Sequence, residues 1–151
     1  DFRGFEASTC KSRNLSHRIM PKSIEDFGLV AAVEELVENL EKTHEIDVKL
    51  TYNKEFRLNK DIEINVFRIL QEALANIVKH AKASVTGISL QQTDHLLEVK
   101  ISDNGQGILL KPRGKGIGMS TMKNRALKLN ASFNIQSNDS GTTITLKVPI
   151  K

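Results

Sequence analysis

The sequence predicts an α+β fold in which an antiparallel or mixed sheet is covered on one face by about three helices. Three observations lead to this prediction. The chain has 151 residues, enough for one domain with a buried core. Apolar residues recur at helical spacing in three segments and alternate with polar residues in five others. The two kinds of segment are interleaved, which favours a layer of helices packed on a sheet.

The three predicted helices differ in length. The first covers about residues 29–43 and the last about residues 119–129. The longest covers about residues 59–83, where Asn59 is a residue type that caps helix N-termini. Glu63, in its first turn, is expected to complement the helix dipole. The apolar side of this helix consists of Leu70, Ala73, Leu74, Ile77 and Ala81.

Five alternating segments predict half-buried strands. They cover residues 46–50, 85–91, 96–103, 133–135 and 143–148. The second and third are joined by a short Thr-Asp-His connection at residues 93–95 and predict a β-hairpin. The turn residues Asn-Asp-Ser-Gly at 138–141 separate the last two strands.

Composition and charge exclude several classes of function. The net charge is +4, from 22 Lys and Arg against 18 Asp and Glu, and it is not gathered into a long run. With one Tyr and no Trp there is little aromatic surface for stacking bases, so we expect no nucleic-acid partner. The longest apolar stretch, residues 27–33, is too short to cross a bilayer, and we expect no direct membrane contact. The single cysteine, Cys10, excludes a disulfide framework and indicates a cytoplasmic compartment.

The longest predicted helix carries a polar face that could serve a metal-bound polyphosphate. Its residues are Glu72, Asn76, Lys79 and His80. Asn76 offers an amide oxygen to a hard cation such as Mg²⁺, and Lys79 offers a positive charge to phosphate. His80 can donate a hydrogen bond, and Glu72 can orient or deprotonate an attacking group. Taken alone, these four residues fit a solvated helix face better than a site.

A second cluster, residues 103–108, follows a predicted strand with the sequence Asp-Asn-Gly-Gln-Gly-Ile. Asp103 can accept a hydrogen bond from an exocyclic amine, and Gly105 and Gly107 allow a flat ligand to approach the backbone. The alternative is a tight Asn-Gly turn capped by the aspartate. The chain does not return as a hairpin strand after this cluster, which favours the ligand interpretation.

A third cluster, residues 114–118, precedes the last predicted helix with the sequence Gly-Lys-Gly-Ile-Gly. Glycine-rich backbone before a helix N-terminus favours phosphate, because N–H groups and the helix dipole point at the anion. The spacing matches neither the P-loop nor the dinucleotide-binding pattern. The three clusters in this order nevertheless predict a nucleotide site.

The three clusters resemble the ATP-binding motifs of bacterial sensor histidine kinases. The N box, G1 box, G2 box and closing Gly-Thr element of that family correspond to residues 67–81, 103–107, 114–119 and 141–143. The Asn-x-x-Lys-His form of the N box, with Met122 and Arg125, is most similar to the branch that pairs with LuxR-like response regulators. The resemblance covers about residues 29–151.

The resemblance implies the Bergerat ATP-binding fold, a two-layer α/β sandwich, with ATP and Mg²⁺ as cofactors. The implied ATP-binding residues are Asn76, Lys79, His80, Asp103, Gly105, Gly107, Ile108, Gly114, Gly116, Ile117, Gly118, Met119 and Thr142. Asn76 is the implied metal ligand, and Thr142 is implied to support Asp103 at the adenine. Glu72 is the implied catalytic residue that activates the phosphoacceptor. Residues 108–115 are expected to form a lid hinged at Gly114.

The resemblance also implies partners. Residues 1–28 resemble a remnant of the second helix of a dimerisation hairpin and its linker, and residues 29–151 the catalytic domain. His17 is expected to be structural, so the γ-phosphoryl group of ATP would pass to a histidine on a separate hairpin and then to a response regulator. The parent protein is expected to be a homodimer. The alternatives are an anti-sigma-factor-like serine kinase and a partner-binding module that needs no nucleotide.

Overall fold

The computed structural model describes residues 22–53, 57–81, 83–105 and 117–150. Its helices are α1 (Lys22–Phe27), α2 (Leu29–Thr43), α3 (Lys60–Asn76) and α4 (Ile117–Lys128), and a π-helical turn, Ile77–Ala81, extends α3. Its strands are β1 (Asp47–Tyr52), β2 (Val85–Gln92), β3 (Leu96–Asp103), β4 (Ser132–Asn138) and β5 (Gly141–Pro149). The predicted hairpin remnant up to residue 21, with Cys10 and His17, lies outside the described residues.

The five strands form one mixed sheet in the order β1-β2-β3-β5-β4. β1 and β2 are parallel, and the other neighbouring strands are antiparallel. The parallel pair arises because the chain crosses back through α3 before it re-enters the sheet. All five strands were predicted, and the sheet is the mixed one of the two predicted alternatives.

The hydrophobic core lies between the sheet and one layer of helices. Residues on one face of β2, β3 and β5 are buried, whereas most of those on the other face are partly or fully exposed. The sheet contributes Val48, Ile88, Leu90, Leu97, Val99, Ile101, Ile144, Leu146 and Val148. The helices contribute Leu29, Val33, Val37, Val66, Ile69, Leu70, Ala73, Leu74, Met122 and Ala126, among others. The predicted two-layer α+β sandwich is therefore confirmed.

The longest helix begins as predicted but ends differently. The Asn59 Oδ1 atom accepts hydrogen bonds from the N–H groups of Asp61 at 2.7 Å and Ile62 at 3.4 Å, so Asn59 is the N-cap. Regular α-helix stops at Asn76 and a π-helical turn follows. A π-helical turn accommodates an extra residue, and such turns are frequent at functional sites.

Two features of the helical layer were not predicted. The short helix α1 occupies part of the predicted linker, and its Ile24 is fully buried in the core. Glu63, which was predicted only to complement the helix dipole, is fully buried. Its Oε2 atom accepts a hydrogen bond from the Leu58 N–H at 3.0 Å and lies 3.4 Å from Arg57 Nε.

Among the described residues, no helix is long and apolar enough to cross a membrane.

Candidate functional site

A row of directly paired residues crosses the whole sheet at one end, where β3 finishes. In sheet order the row is Val48, Thr86, Asp103, Thr142 and Ser137. Because directly paired residues point to the same face of a sheet, all five belong to the core face. The other buried residues on this face of the strands are aliphatic. The row therefore places polar side chains where the helical layer and the sheet meet.

Asp103 is the only acidic residue of this row. Its Oδ1 atom accepts a hydrogen bond from the Gly105 N–H at 2.7 Å. Its Oδ2 atom is buried and has no hydrogen-bond partner within the described part of the chain. Burial raises the pKa of this carboxyl above its ordinary value, while the N–H groups of Gly105 and Thr142 act in the opposite direction. One carboxylate oxygen is thus held in place, and the other can accept a hydrogen bond from a ligand.

Thr142 lies directly beside Asp103 on the neighbouring strand. It is 4% exposed, and its hydroxyl oxygen is 2.9 Å from the Ser137 Oγ atom. In the sequence, only the family motifs associate Asp103 with Thr142. The register of β3 and β5 brings the two residues together as a cross-strand pair.

Asn104 holds the end of β3 in position, a role that the sequence analysis did not assign. Its side-chain oxygen accepts hydrogen bonds from the N–H groups of Ser84 at 3.0 Å and Val85 at 3.1 Å. Its amide nitrogen donates to the Ser84 Oγ atom at 3.1 Å. These bonds tie the residue after Asp103 to the start of β2. An asparagine directly after a strand-terminal aspartate was the available signal.

The predicted polar face of α3 is divided by the structure. Glu72 and Asn76 are half-buried, one helical turn apart, and Lys79 is exposed on the π-helical turn. Glu72 and Lys79 line a groove of about 510 Å³ between α2 and α3, together with Leu36, Leu40, His44, Gln71, Leu74, Ala75 and Val78. Asn76 is not among the lining residues. The groove also contains His44, for which no role was predicted.

Several predicted ATP-binding residues cannot be placed. Gly107, Ile108, Gly114 and Gly116, with the predicted lid 108–115, lie outside the described residues. The side chains of His80, Ile117 and Met119 also lie outside them. The helix that follows the glycine cluster begins at Ile117, two residues earlier than predicted, so Gly118 is in its first turn.

Asn76 and Glu72 are suited to a cation that takes most of its ligands from water and phosphate. The described residues contain no cluster of three or more His, Cys, Asp or Glu side chains that could hold a metal ion. Asn76 supplies a neutral amide oxygen, with the carboxylate of Glu72 four residues earlier on the helix. Mg²⁺ commonly has few protein ligands and keeps water and phosphate oxygens around it. This donor set therefore fits Mg²⁺ carried by a nucleotide better than a metal bound by protein alone.

Comparison with known proteins identifies the family. The family described as histidine kinase-, DNA gyrase B-, and HSP90-like ATPase matches residues 61–151. The chain belongs to this ATPase family. ATP binding is therefore its family property, and the predicted recognition of an ATP-binding domain of the sensor-histidine-kinase type is confirmed.

Individual relatives agree with this assignment. The chain is 38% identical over 144 residues to the oxygen sensor histidine kinase NreB of Staphylococcus carnosus (strain TM300). The match covers 91% of this chain and 41% of the relative, so the chain spans about two fifths of that protein's length.

Solved structures show the same fold. The blue-light activated histidine kinase of Erythrobacter litoralis EL346 superposes with a TM-score of 0.66 at 18% identity, over 81% of this chain and 42% of that one. The histidine kinase AdeS of Acinetobacter baumannii superposes with a TM-score of 0.66 at 16% identity, over 97% of this chain and 87% of that one.

Proposed function

We propose that this chain is the ATP-binding part of a kinase that transfers the γ-phosphoryl group of ATP to a histidine on a separate dimerisation hairpin. A response regulator would then receive the group on an aspartate. Family membership and the identity to a sensor histidine kinase support this reaction over the serine kinase alternative. The observation that carries the proposal is the buried Oδ2 atom of Asp103, which has no partner among the described residues.

Asp103 would bind the adenine base. A carboxylate oxygen accepts a hydrogen bond from the exocyclic amine of adenine, whereas guanine presents a carbonyl oxygen at that position. Since Oδ1 already accepts the Gly105 N–H, Oδ2 is the atom available to the base. Thr142, paired with Asp103 across the strands, would support this contact through its hydroxyl.

The phosphates would lie towards the end of α3 and the glycine cluster before α4. Asn76 would hold Mg²⁺, and Lys79 and His80 would lie near the phosphate tail. When bound, Mg²⁺ neutralises negative charge that develops on the phosphate oxygens. Ile108 and the segment 114–119, including Gly114, Gly116, Ile117, Gly118 and Met119, would contact the nucleotide through their backbone. Gly105 and Gly107 would line the adenine end.

Glu72 would orient and deprotonate the acceptor histidine. It is half-buried and lines the groove between α2 and α3, and exposed Lys79 and His44 line the same groove. A histidine presented by another polypeptide could reach a carboxylate in this position. Such positioning, with charge neutralisation, supplies most of the catalysis in phosphoryl transfer.

The proposal extends to organisation and location. Residues 29–151 would form the catalytic domain, because Leu29, Val33 and Val37 of α2 are buried in the same core as the family-matched region, and α1 of the preceding linker packs on this core through Ile24. Residues 1–28 would comprise a remnant of the second helix of the dimerisation hairpin and its linker, and the parent would be a homodimer. A kinase that uses cellular ATP would act in the cytoplasm.

Calorimetric titration tests the adenine assignment. We expect ATP and ADP to bind in the presence of Mg²⁺ and GTP to bind much more weakly. Asp103→Ala should weaken ATP binding at least tenfold, because a charge-assisted hydrogen bond contributes about 1.5–3 kcal/mol. Asp94→Ala, which changes an exposed aspartate in the hairpin loop, is the matched control and should bind as the wild type does. Equal affinity for ATP and GTP would contradict the assignment.

A further inference from the structure

Thr86 is a buried polar residue that the proposed function leaves unexplained. Its side chain lies on the core face of β2 and is 0% exposed. Its Oγ1 atom has no hydrogen-bond partner within the residues that the structure describes. A buried hydroxyl without a partner is unfavourable, and valine would fill nearly the same volume without that cost. The hydroxyl therefore calls for a partner that the described chain does not supply.

Thr86 lies directly beside Asp103. The Asn104 N–H donates to the Val85 carbonyl oxygen at 3.2 Å, which makes Val85 and Asn104 a hydrogen-bonded pair of the antiparallel ladder. The next pair, Thr86 and Asp103, is therefore a non-hydrogen-bonded pair, the type in which the side chains lie closer together. The two buried oxygens without partners, Thr86 Oγ1 and Asp103 Oδ2, thus belong to adjacent side chains on the same face.

The two oxygens complement one chemical group. An exocyclic amine has two hydrogens, and a carboxylate oxygen and a hydroxyl oxygen can each accept one of them. A 6-oxo purine offers no hydrogen at that position, and its carbonyl oxygen would face the Asp103 carboxylate, so it cannot be seated between the two oxygens in the same way. Thr142, on the other side of Asp103, differs from Thr86 because its hydroxyl already lies 2.9 Å from Ser137 Oγ.

We propose that Thr86 is a specificity-determining residue of the base pocket, whose hydroxyl accepts a hydrogen bond from the adenine amine beside Asp103. This inference rests on the proposed ATP binding and adds a residue to it. Thr86 then contributes to the preference for 6-amino over 6-oxo purines. The cost of its buried hydroxyl is present without nucleotide and relieved when adenine binds.

Three variants of the 151-residue chain test the inference. Thr86→Val removes the hydroxyl and keeps the shape and the β-branched character. Thr86→Ser keeps the hydroxyl and removes the methyl group. Thr145→Val is the matched control, because Thr145 is half-buried on the opposite face of β5. Calorimetry with Mg²⁺ measures the affinities for ADP and inosine diphosphate, and urea unfolding measures the stability of the nucleotide-free protein.

We expect Thr86→Val to weaken ADP binding about fivefold to tenfold, and Thr86→Ser and Thr145→Val to bind ADP within threefold of the wild type. Inosine diphosphate should bind equally well to the wild type and to Thr86→Val. The urea midpoint of nucleotide-free Thr86→Val should be equal to or above that of the wild type, because an unsatisfied polar group has been removed.

A loss of ADP affinity below threefold in Thr86→Val would overturn the inference. An equal loss for both nucleotides would overturn the assignment to the amine, and a lower urea midpoint would show that the hydroxyl serves the fold instead. These results are distinguishable from failure of the proposed function, in which wild-type protein itself would not bind ADP.

Discussion

Gly141 lies against the backbone of Asp103 so closely that a Cβ atom at position 141 would overlap the Asp103 carbonyl oxygen. Gly141 also has a φ of +141°, a conformation that residues with a side chain rarely adopt. Position 141, directly before Thr142, therefore requires glycine for two reasons: the lack of space for a Cβ atom and the positive φ. The first residue of β5 therefore packs directly against the last residue of β3, which joins the Gly-Thr element to the aspartate that we propose binds adenine.

Gly141→Ala should therefore destabilise the fold and impair nucleotide binding together. Backbone strain alone is expected to cost about 1–3 kcal/mol, and the contact with the Asp103 carbonyl adds to it. Urea unfolding and ADP titration measure the two effects. Gly87→Ala is the control within the same sheet, because its Cβ would approach only the Ser102 Oγ atom, at 3.3 Å. If Gly141→Ala were as stable as the wild type, β3 and β5 would be able to move apart at this point without cost, which would contradict the prediction.

The adenine contact should weaken as the pH falls. Burial raises the pKa of Asp103, so its carboxylate becomes protonated at a higher pH than an ordinary aspartate does. Protonation turns one of the accepting oxygens of Asp103 into a hydroxyl, which can no longer accept in the same way. Adenine binding should therefore decline as the pH falls through this raised pKa. The ADP affinities of the wild type and of Asp103→Asn are measured at each pH. Their ratio is informative because the titration of the ADP phosphates affects both proteins equally and cancels. A constant ratio over the acidic range would contradict the assignment.

The Asp103 carboxyl should affect the stability of the nucleotide-free protein in the opposite direction, so that acidification relieves a cost to the fold. Because the folded-state pKa lies above the unfolded one, the folded protein binds this proton more tightly. Asp103 therefore disfavours the nucleotide-free fold above the raised pKa, and the penalty disappears as the pH falls through it. The stability advantage of Asp103→Asn over the wild type should accordingly shrink on acidification, as followed by urea unfolding.

Asn59→Ala should lower stability without altering nucleotide affinity. The substitution leaves the N–H groups of Asp61 and Ile62 without their side-chain acceptor, at a cost of about 0.5–2 kcal/mol. Asn59 caps the opposite end of α3 from Asn76, so the ADP affinity should be that of the wild type. Asn59→Asp should retain most of the stability, and Asn124→Ala, on an exposed position of α4, should have little effect. A large loss of ADP affinity in Asn59→Ala would indicate that α3 shifts as a whole.

Glu72 and Asn76 should differ in which step they affect. The chain alone is expected not to label itself on histidine with labelled ATP, and label should appear on a phosphoacceptor hairpin of the parent protein when it is added. Asn76→Ala should abolish labelling and weaken Mg²⁺-dependent ATP binding, whereas Glu72→Gln should abolish labelling and leave ATP affinity unchanged. Glu38→Gln, on an exposed position of α2, is the control. Weaker ATP binding in Glu72→Gln would place Glu72 at the nucleotide instead of at the acceptor.

Much of the fold could be predicted because it depends on local sequence. Alternation identified all five strands, and helical spacing identified α2, α3 and α4. The N-cap at Asn59 follows from residue type and position. The helix α1 was missed because six residues carry too little periodicity, and the π-helical turn was missed because a short widening leaves the apolar pattern almost unchanged.

The residue types proposed to carry the chemistry, and their order, could be read from the sequence alone, because the three clusters are contiguous segments. The sequence could not determine which side chains become neighbours. Thr86, Asp103 and Thr142 come from three strands, and their alignment depends on the registers of β2, β3 and β5. Burial of Glu63 and of the Thr86 hydroxyl likewise depends on what packs over them. Period-two alternation specifies the face on which a side chain lies, whereas only the packed sheet decides which strand lies beside it.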